Sequence, residues 1–413
     1  MDDFKYSDGV AFCESVPLAK IAEEICTPVY VYSRATVARA CERLKNAFAS
    51  YPTLIAYAVK ANSNLSVMSD IFHKDFGADV VSIGELERAM EAGAKPHKIL
   101  FSGVAKTNDE IERAVEHQIL SFNVESVGEV KRIAAIAKRK GQVAQITIRI
   151  NPNVDAKTNP HISTGMYTNK FGIAEQDLPE LLSEIKQLSS LKLIGVGCHI
   201  GSQITELQPF RDASSRMANL ALELKADFPL EQLDLGGGLG VTYDQEVPPA
   251  ADEYAKVLIE ATKPTGLNLV IEPGRSVVGN AGVLITRVIG TKRTPMKKFA
   301  LVDAAMNDLL RPSLYSAYHE VLPVKQATAD SSVSKMDIVG PICESGDFIA
   351  KDREMPEVKD DDLLFIRTCG AYASSMASNY NSRPRAAEVY VSGGDYQVVR
   401  PRESMTSIWE SER

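Results

Sequence analysis

From about residue 50 to about residue 275, short apolar runs rich in β-branched residues alternate with stretches whose apolar positions recur at helical spacing. That alternation predicts repeated βα units around a parallel sheet. Eight candidate strands end at Lys60, Ser82, Gly103, Val124, Ile150, Gly201, Gly238 and Arg275, the number needed to close a (β/α)8 barrel of the TIM type. Helical spacing fits Glu85 to Ala92, Asp109 to His117, Val127 to Lys140 and Pro209 to Ala226. After residue 280 the helical period fades, and Val283 to Ile289, Phe299 to Val302, Leu363 to Ile366 and Ala387 to Val391 read as strands between turns. The expectation is an α/β chain with a barrel over 27–280 and a second, mostly β-sheet, β-barrel-like domain over 281–413. The first 26 residues contain no βα unit and are expected to join that second domain.

Residues with chemical potential cluster at the C-terminal ends of the candidate strands: Lys60, Asp79, Asn151, His199, Gly236 to Gly238, and Glu272 to Arg275. In a closed barrel those ends share one face, where active sites are built. A doubly wound sheet gives the same alternation but gathers the last three clusters less naturally around one pocket.

Lys60 ends the apolar run Ala56-Tyr57-Ala58-Val59, and a desolvated ammonium there has its neutral form favoured, as a Schiff-base lysine requires. Taken alone, it reads more readily as a strand-end lysine reaching water, and its neighbours in the barrel change that. Gly236-Gly237-Gly238-Leu239-Gly240 follows Leu233-Asp234-Leu235, where backbone N–H groups can converge on an anion such as phosphate. The segment is neither a P-loop nor a full G-x-G-x-x-G, so a flexible βα turn is the competing reading. Glu272-Pro273-Gly274-Arg275 puts a carboxylate and a guanidinium on one rim, either as a structural ion pair or as partners for a ring nitrogen and an anion. His199 can stack on a flat ligand or pack in the core, and Ser202 can donate to phosphate.

Composition narrows the field. The 413 residues are 45% hydrophobic and 24% charged, with no biased tract, as in a folded globular chain of two domains. The net charge of -8 speaks against nucleic acid or anionic lipid as partner and favours a small-molecule substrate. The opening residues carry neither a secretion nor a transit signal, and no apolar run approaches the roughly 18 residues that span a bilayer. Six cysteines (Cys13, Cys26, Cys41, Cys198, Cys343 and Cys369) lack the close pairing of a zinc or redox motif, which suits a reducing cytoplasm. Cys198 and His199, as neighbours on a strand, point to opposite faces, so no metal site is expected there.

Taken in order, these motifs resemble the fold-type III pyridoxal-phosphate decarboxylases, the alanine-racemase-like barrel group, over essentially the full chain. Arg149-Ile150-Asn151-Pro152-Asn153-Val154-Asp155, Ile162-Ser163-Thr164-Gly165, Lys170-Phe171-Gly172 and Cys343-Glu344-Ser345 resemble the branch that acts on meso-2,6-diaminopimelate, in the last step of bacterial-type lysine biosynthesis. Ornithine, arginine and carboxynorspermidine decarboxylases and racemases share the barrel motifs but fit Arg311 and Cys343-Glu344 less well, and retention of Lys60, Gly236 to Gly238 and Glu272 counts against a catalytically silent regulator on this barrel. The resemblance implies pyridoxal 5'-phosphate bonded to Lys60, with Asp79 nearby, His199 stacked on its ring and Glu272 on its ring nitrogen. It implies phosphate binding by Ser202, the amides of Gly236, Gly237 and Gly238, and Tyr372 of a partner subunit, beside Gly274 and Arg275. Arg275, Arg311, Tyr315, Glu344 and Tyr372 are then expected to contact substrate, and Cys343, from the partner of a homodimer with shared active sites, to supply a proton. At Ser82-Ile83-Gly84-Glu85, Ile83 stands where relatives commonly have a second glycine.

Overall fold

A computed structural model describes residues 2–412 except 157, 160, 161, 163, 167, 168 and 329. Ser163, within one of the motifs above, lies outside the described residues. The chain divides into two compact units: one formed by 40–241 and 247–276, the other by 1–39, 242–246 and 277–413.

The first unit is a closed barrel of eight parallel strands, Thr53–Ala58, Gly77–Val80, Ile99–Phe101, Ser121–Val124, Ala144–Arg149, Leu191–Gly197, Gln232–Asp234 and Asn268–Ile271. The eighth strand pairs with the first through Leu269 and Thr53, Val270 and Leu54, and Ile271 and Ile55, which leaves no sheet edge. Near the N-terminal end the interior is apolar, with Ala56, Leu100 and Val270 fully buried against Leu54 and Leu120. A polar layer also runs inside, where Gln232 Nε2 donates to Thr147 Oγ1 at 3.0 Å and the Ser121 and Thr147 hydroxyls lie 2.9 Å apart.

Three helices start with the same local device. Ser82, Thr107 and Ser126 cap Ile83–Glu91, Asn108–Glu116 and Val127–Arg139 by accepting the N–H of Glu85, Glu110 and Glu129, three residues on. Each glutamate accepts a backbone N–H in return, at Val81, Thr107 and Glu125 respectively. Such caps turn the chain sharply from strand end into helix, and so define the rim. The predicted helices agree with these within a residue or two.

The second unit holds a nine-stranded, branched sheet. Its long strand, Gly282–Arg293, pairs with Val29–Ser33, Leu363–Ile366 and Lys298–Val302. The N-terminal segment packs here: in the helix Leu18–Ile25, Leu18, Ile21 and Ala22 cluster with Val29, Val31, Val283, Ile285 and Val389, while Lys20, Glu23 and Glu24 are exposed. The unit boundary is later than residue 27. Val29–Ser33, placed with the barrel from sequence, pairs with Gly282–Arg293 and Ala387–Ser392 in this second sheet. All six cysteines are free thiols, and no described helix is long and apolar enough to cross a membrane.

Within the barrel unit, Lys106 and Glu129 form an ion pair at 2.7 Å, both almost wholly buried. Lys106 Nζ also donates to the carbonyls of Gly103 and Asn123 at 2.7 and 2.8 Å, so all three ammonium hydrogens are used. Lys106→Met would strand the Glu129 carboxylate and is expected to cost about 3–5 kcal/mol, measured as a lower urea midpoint. Lys106→Met with Glu129→Leu should recover much of that loss.

Candidate active site

The strand Thr53–Ala58 ends in a single 3-10 turn, Val59–Ala61, that carries Lys60 over the rim. Lys60 Nζ lies 2.9 Å from Asp79 Oδ2 on the next strand; Asp79 is fully buried, while a third of the lysine side chain remains exposed. Asp79 Oδ1 is buried with no hydrogen-bond partner among the described residues. Held against Asp79 and partly exposed, this lysine is placed where, as the neutral amine, it can react with an incoming carbonyl.

Two further buried carboxyls lie on this rim. The Asn123 amide donates to Glu272 Oε1 at 3.1 Å and to Asp234 Oδ2 at 3.3 Å. Burial first, and then mutual repulsion with Asp234 and Asp79, push Glu272 well above the ordinary carboxyl range, against the opposing pull of Lys60 and Arg149. Burial likewise lifts Asp234, though the Gly236 N–H and Asn123 hold it lower. The pair therefore keeps a proton where an exposed pair would have lost both. Asn123 and Asp234 were not singled out from sequence. They sit in the short strands Ser121–Val124 and Gln232–Asp234, all of whose residues are buried.

The glycine turn follows directly. Gly236 has φ +64° and Gly238 φ +110°, both left-handed, and a Cβ on Gly237 would stand 2.1 Å from the Glu272 carbonyl oxygen. The Gly236 N–H donates to Asp234 Oδ1 at 2.9 Å. Its expected share in holding an anion is thus replaced by a shaping role, because that amide hydrogen is committed to the carboxylate. The Gly236 and Gly238 carbonyls accept from Glu272 and Ile204 at 2.8 and 2.9 Å. Gly274 is buried beside Arg275, which opens the short helix Arg275–Val278. Arg275 Nη2 donates to Ser202 Oγ at 3.1 Å, bringing a guanidinium and a hydroxyl to one spot.

His199 Nδ1 accepts the Gly201 N–H at 3.2 Å, while the Thr164 hydroxyl donates to the His199 carbonyl at 2.7 Å. An accepting Nδ1 puts the ring proton on Nε2. Burial, with Lys60 and Arg149 nearby, holds the imidazole well below its ordinary pKa, so it is a neutral, flat surface. Asn151 is buried and structural, donating to the carbonyls of Met166 and Phe171 at 2.7 and 3.2 Å. Ile83 occupies the first helical turn and donates to Glu110 Oε1 at 3.1 Å, a position any residue can take without left-handed backbone.

The second unit gathers the remaining candidates. Arg311, buried, opens the helix Arg311–Tyr315; its Nη1 lies 3.1 Å from His319 Nε2 and its guanidinium 4.6 Å above the Tyr243 ring. Tyr315, at the end of that helix, is half-buried. Ser313 Oγ donates to the Gly346 carbonyl at 2.5 Å, tying the helix to the loop with Cys343 and Glu344. Both of those are exposed, with Glu344 Oε2 accepting from Tyr380 at 2.7 Å and the Cys343 N–H donating to Asn381. Tyr372 has φ +55°, a left-handed conformation costing about 1–3 kcal/mol in a non-glycine residue.

Glu85 is an additional rim carboxyl. Burial raises it to about 7, the Val81 N–H and Lys60 lower it, and Asp79 raises it. A carboxyl raised in the folded state contributes stability in full at acid pH and loses it as pH climbs through about 7. Glu85→Gln, which can still accept the Val81 N–H, should therefore gain stability relative to the parent as pH rises across that range, measured by thermal melts at a series of pH values.

Comparison with known proteins places this geometry. Residues 34–279 match the family model described as the pyridoxal binding domain of pyridoxal-dependent decarboxylases. The chain is 47% identical to diaminopimelate decarboxylase of Vibrio cholerae and 48% identical to that of Pseudomonas aeruginosa, in each case over 100% of this chain and 99% of the relative. The crystal structure of diaminopimelate decarboxylase from Helicobacter pylori complexed with L-lysine superposes with a TM-score of 0.91 at 44% identity, covering 95% of this chain and 98% of that one. The chain therefore belongs to the pyridoxal-dependent decarboxylases and, within them, to the diaminopimelate decarboxylase family.

Proposed function

We propose that this protein decarboxylates meso-2,6-diaminopimelate to L-lysine and CO2 with pyridoxal 5'-phosphate as cofactor. The observation that carries the reading is Lys60, paired at 2.9 Å with fully buried Asp79 on a rim that also holds Glu272. The glycine turn suits a phosphate: Gly236 and Gly238 take left-handed backbone, the conformation in which successive N–H groups can converge on an anion. Lys60 would hold the coenzyme's aldehyde carbon, Glu272 its ring nitrogen and His199 its ring face. Ser202, the Gly237 and Gly238 amides and Tyr372 of the partner subunit would hold its phosphate, with Gly236, Gly274 and Arg275 shaping the same end. When bound, it supplies the sink for the electron pair left on carbon as CO2 departs.

The chain's own residues set the proton inventory. Asp79 keeps the Lys60 ammonium on one side of the rim, and neutral His199 offers a face without adding charge. The carbon that loses CO2 must gain one proton, and Cys343, or a water it positions, would deliver it. Arg311 would pair with the distal carboxylate of the substrate in a two-bonded fork, and Glu344 with its distal ammonium, while Arg275, Tyr315 and Tyr372 line the same substrate. L-lysine bound for decarboxylation, with its one carboxylate at the reacting carbon, would bring no carboxylate to Arg311, a penalty of roughly 3–5 kcal/mol.

Release of CO2 should accordingly be much faster from meso-diaminopimelate than from ornithine, arginine or lysine in a substrate panel. Equal rates would remove the substrate assignment. The chain is further read as a homodimer in which Cys343 and Tyr372 serve the partner's site. Mixing inactive Lys60→Ala chains with inactive Cys343→Ala chains should then restore part of the activity, and no recovery after verified subunit exchange would separate the two sites.

A further inference from the structure

Reading Glu272 as the ring-nitrogen partner leaves unexplained why a second carboxyl and an amide are buried beside it. Asn123 and Asp234 are 4% and 3% exposed. The Asn123 Nδ2 lies 3.1 Å from Glu272 Oε1, 3.3 Å from Asp234 Oδ2 and 3.0 Å from Ser102 Oγ. Its two hydrogens thus serve three acceptors carried by the third, seventh and eighth strands. In this orientation the amide hydrogens point at both carboxyls and the Ser102 hydroxyl. Asn123 Oδ1 is then buried with no hydrogen-bond partner among the described residues. A buried polar oxygen left without a protein partner calls for an explanation.

We propose that Asn123 is a positioning residue for the ring-nitrogen site, clamping the Glu272 carboxyl beside Asp234 so that Asp234 acts as the second carboxyl of that site. The inference rests on the assignment of Glu272 to the coenzyme nitrogen. The physical sense is charge balance. Asp234 and Asp79 both raise Glu272, with Lys60 and Arg149 as the opposing charges, and Asp79 raises Asp234. A protonated ring nitrogen adds one cation to that set, and its proton is favoured more by two oriented carboxyls than by one. Orientation matters because a carboxyl free to rotate presents its lone pair to the nitrogen only part of the time.

The test uses protein stripped of coenzyme and titrated with pyridoxal 5'-phosphate, comparing the parent chain with Asn123→Ala and Asn123→Ser. Two quantities are read: the coenzyme dissociation constant and the pH at which the bound coenzyme's absorbance titrates. Asn123→Ala should weaken coenzyme binding by about 10–100-fold, the effect of losing a hydrogen bond to a charged group, and lower the titration midpoint. Asn123→Ser, which keeps one donor, should fall between. In steady state the loss should appear in kcat rather than in the KM for substrate. A variant that melts earlier yet binds coenzyme with the parent's dissociation constant and titration would show Asn123 to be structural only, overturning the proposal. Should Asn123→Ala not fold, Asn123→Ser decides by the same two readouts. A parent chain that binds no pyridoxal 5'-phosphate at Lys60 would instead overturn the functional reading, and this inference with it.

Discussion

Closure of the barrel between its eighth and first strands is the constraint on which the site depends. Lys60 and Glu272 are more than two hundred residues apart, yet they follow adjacent strands because Leu269, Val270 and Ile271 pair with Thr53, Leu54 and Ile55. The ladder is carried on past the strands by the Ala58 N–H, which donates to the Pro273 carbonyl at 3.0 Å. Because all eight strands are parallel, every residue that ends one lies on the same rim. An open sheet with the same strands would leave the lysine and the glutamate on opposite edges.

What closure brings together it also forces to coexist. Three buried carboxyls within reach of one ammonium would repel, and burial makes each ionisation more costly. The fold answers with donors fixed by backbone and side chain: Lys60 on Asp79, the Gly236 N–H on Asp234, and the Asn123 amide shared between Asp234 and Glu272. Asp79 Oδ1 and Asn123 Oδ1 are left over, both buried and unsatisfied among the described residues. A barrel optimised only for stability would replace these groups with apolar ones, as it does one layer below with Ala56, Leu100 and Val270.

Period and punctuation made the barrel legible from sequence. Apolar runs stop at the strand ends, and between them the apolar positions take up the helical period. What those signals lack is partner identity. Val29-Tyr30-Val31-Tyr32-Ser33 is buried throughout, as a strand inside a parallel barrel would also be, so its own pattern cannot say which sheet it joins. Its neighbours are Gly282–Arg293 and Ala387–Ser392, from a part of the chain hundreds of residues away. Lys60, His199 and Glu272 stood out because their types match known chemistry. Asn123 and Asp234 did not, because the meaning of a polar strand residue depends on what faces it across the barrel. Gly236 was read as an anion donor since the sequence shows that it can donate, though not that Asp234, two residues earlier, already takes its hydrogen.

The two groups of the second unit proposed to read the substrate, Arg311 and Glu344, are built on different physical terms. Arg311 is buried, and His319 faces it with Nε2 while Nδ1 faces the Arg367 carbonyl at 2.9 Å. A carbonyl can only accept, so Nδ1 carries the hydrogen and Nε2 presents a lone pair; the imidazole is neutral and holds the guanidinium plane without cancelling its charge. Such a group can discriminate by charge, since its field is little screened. Glu344 is exposed in the single chain, where water and salt reduce an ion pair to about 0–1 kcal/mol. For Glu344 to read an ammonium as sharply as Arg311 reads a carboxylate, something must exclude water from it. A second copy of the chain laid over the Cys343–Glu344 loop would do so, and this gives the proposal of a shared site its physical motive.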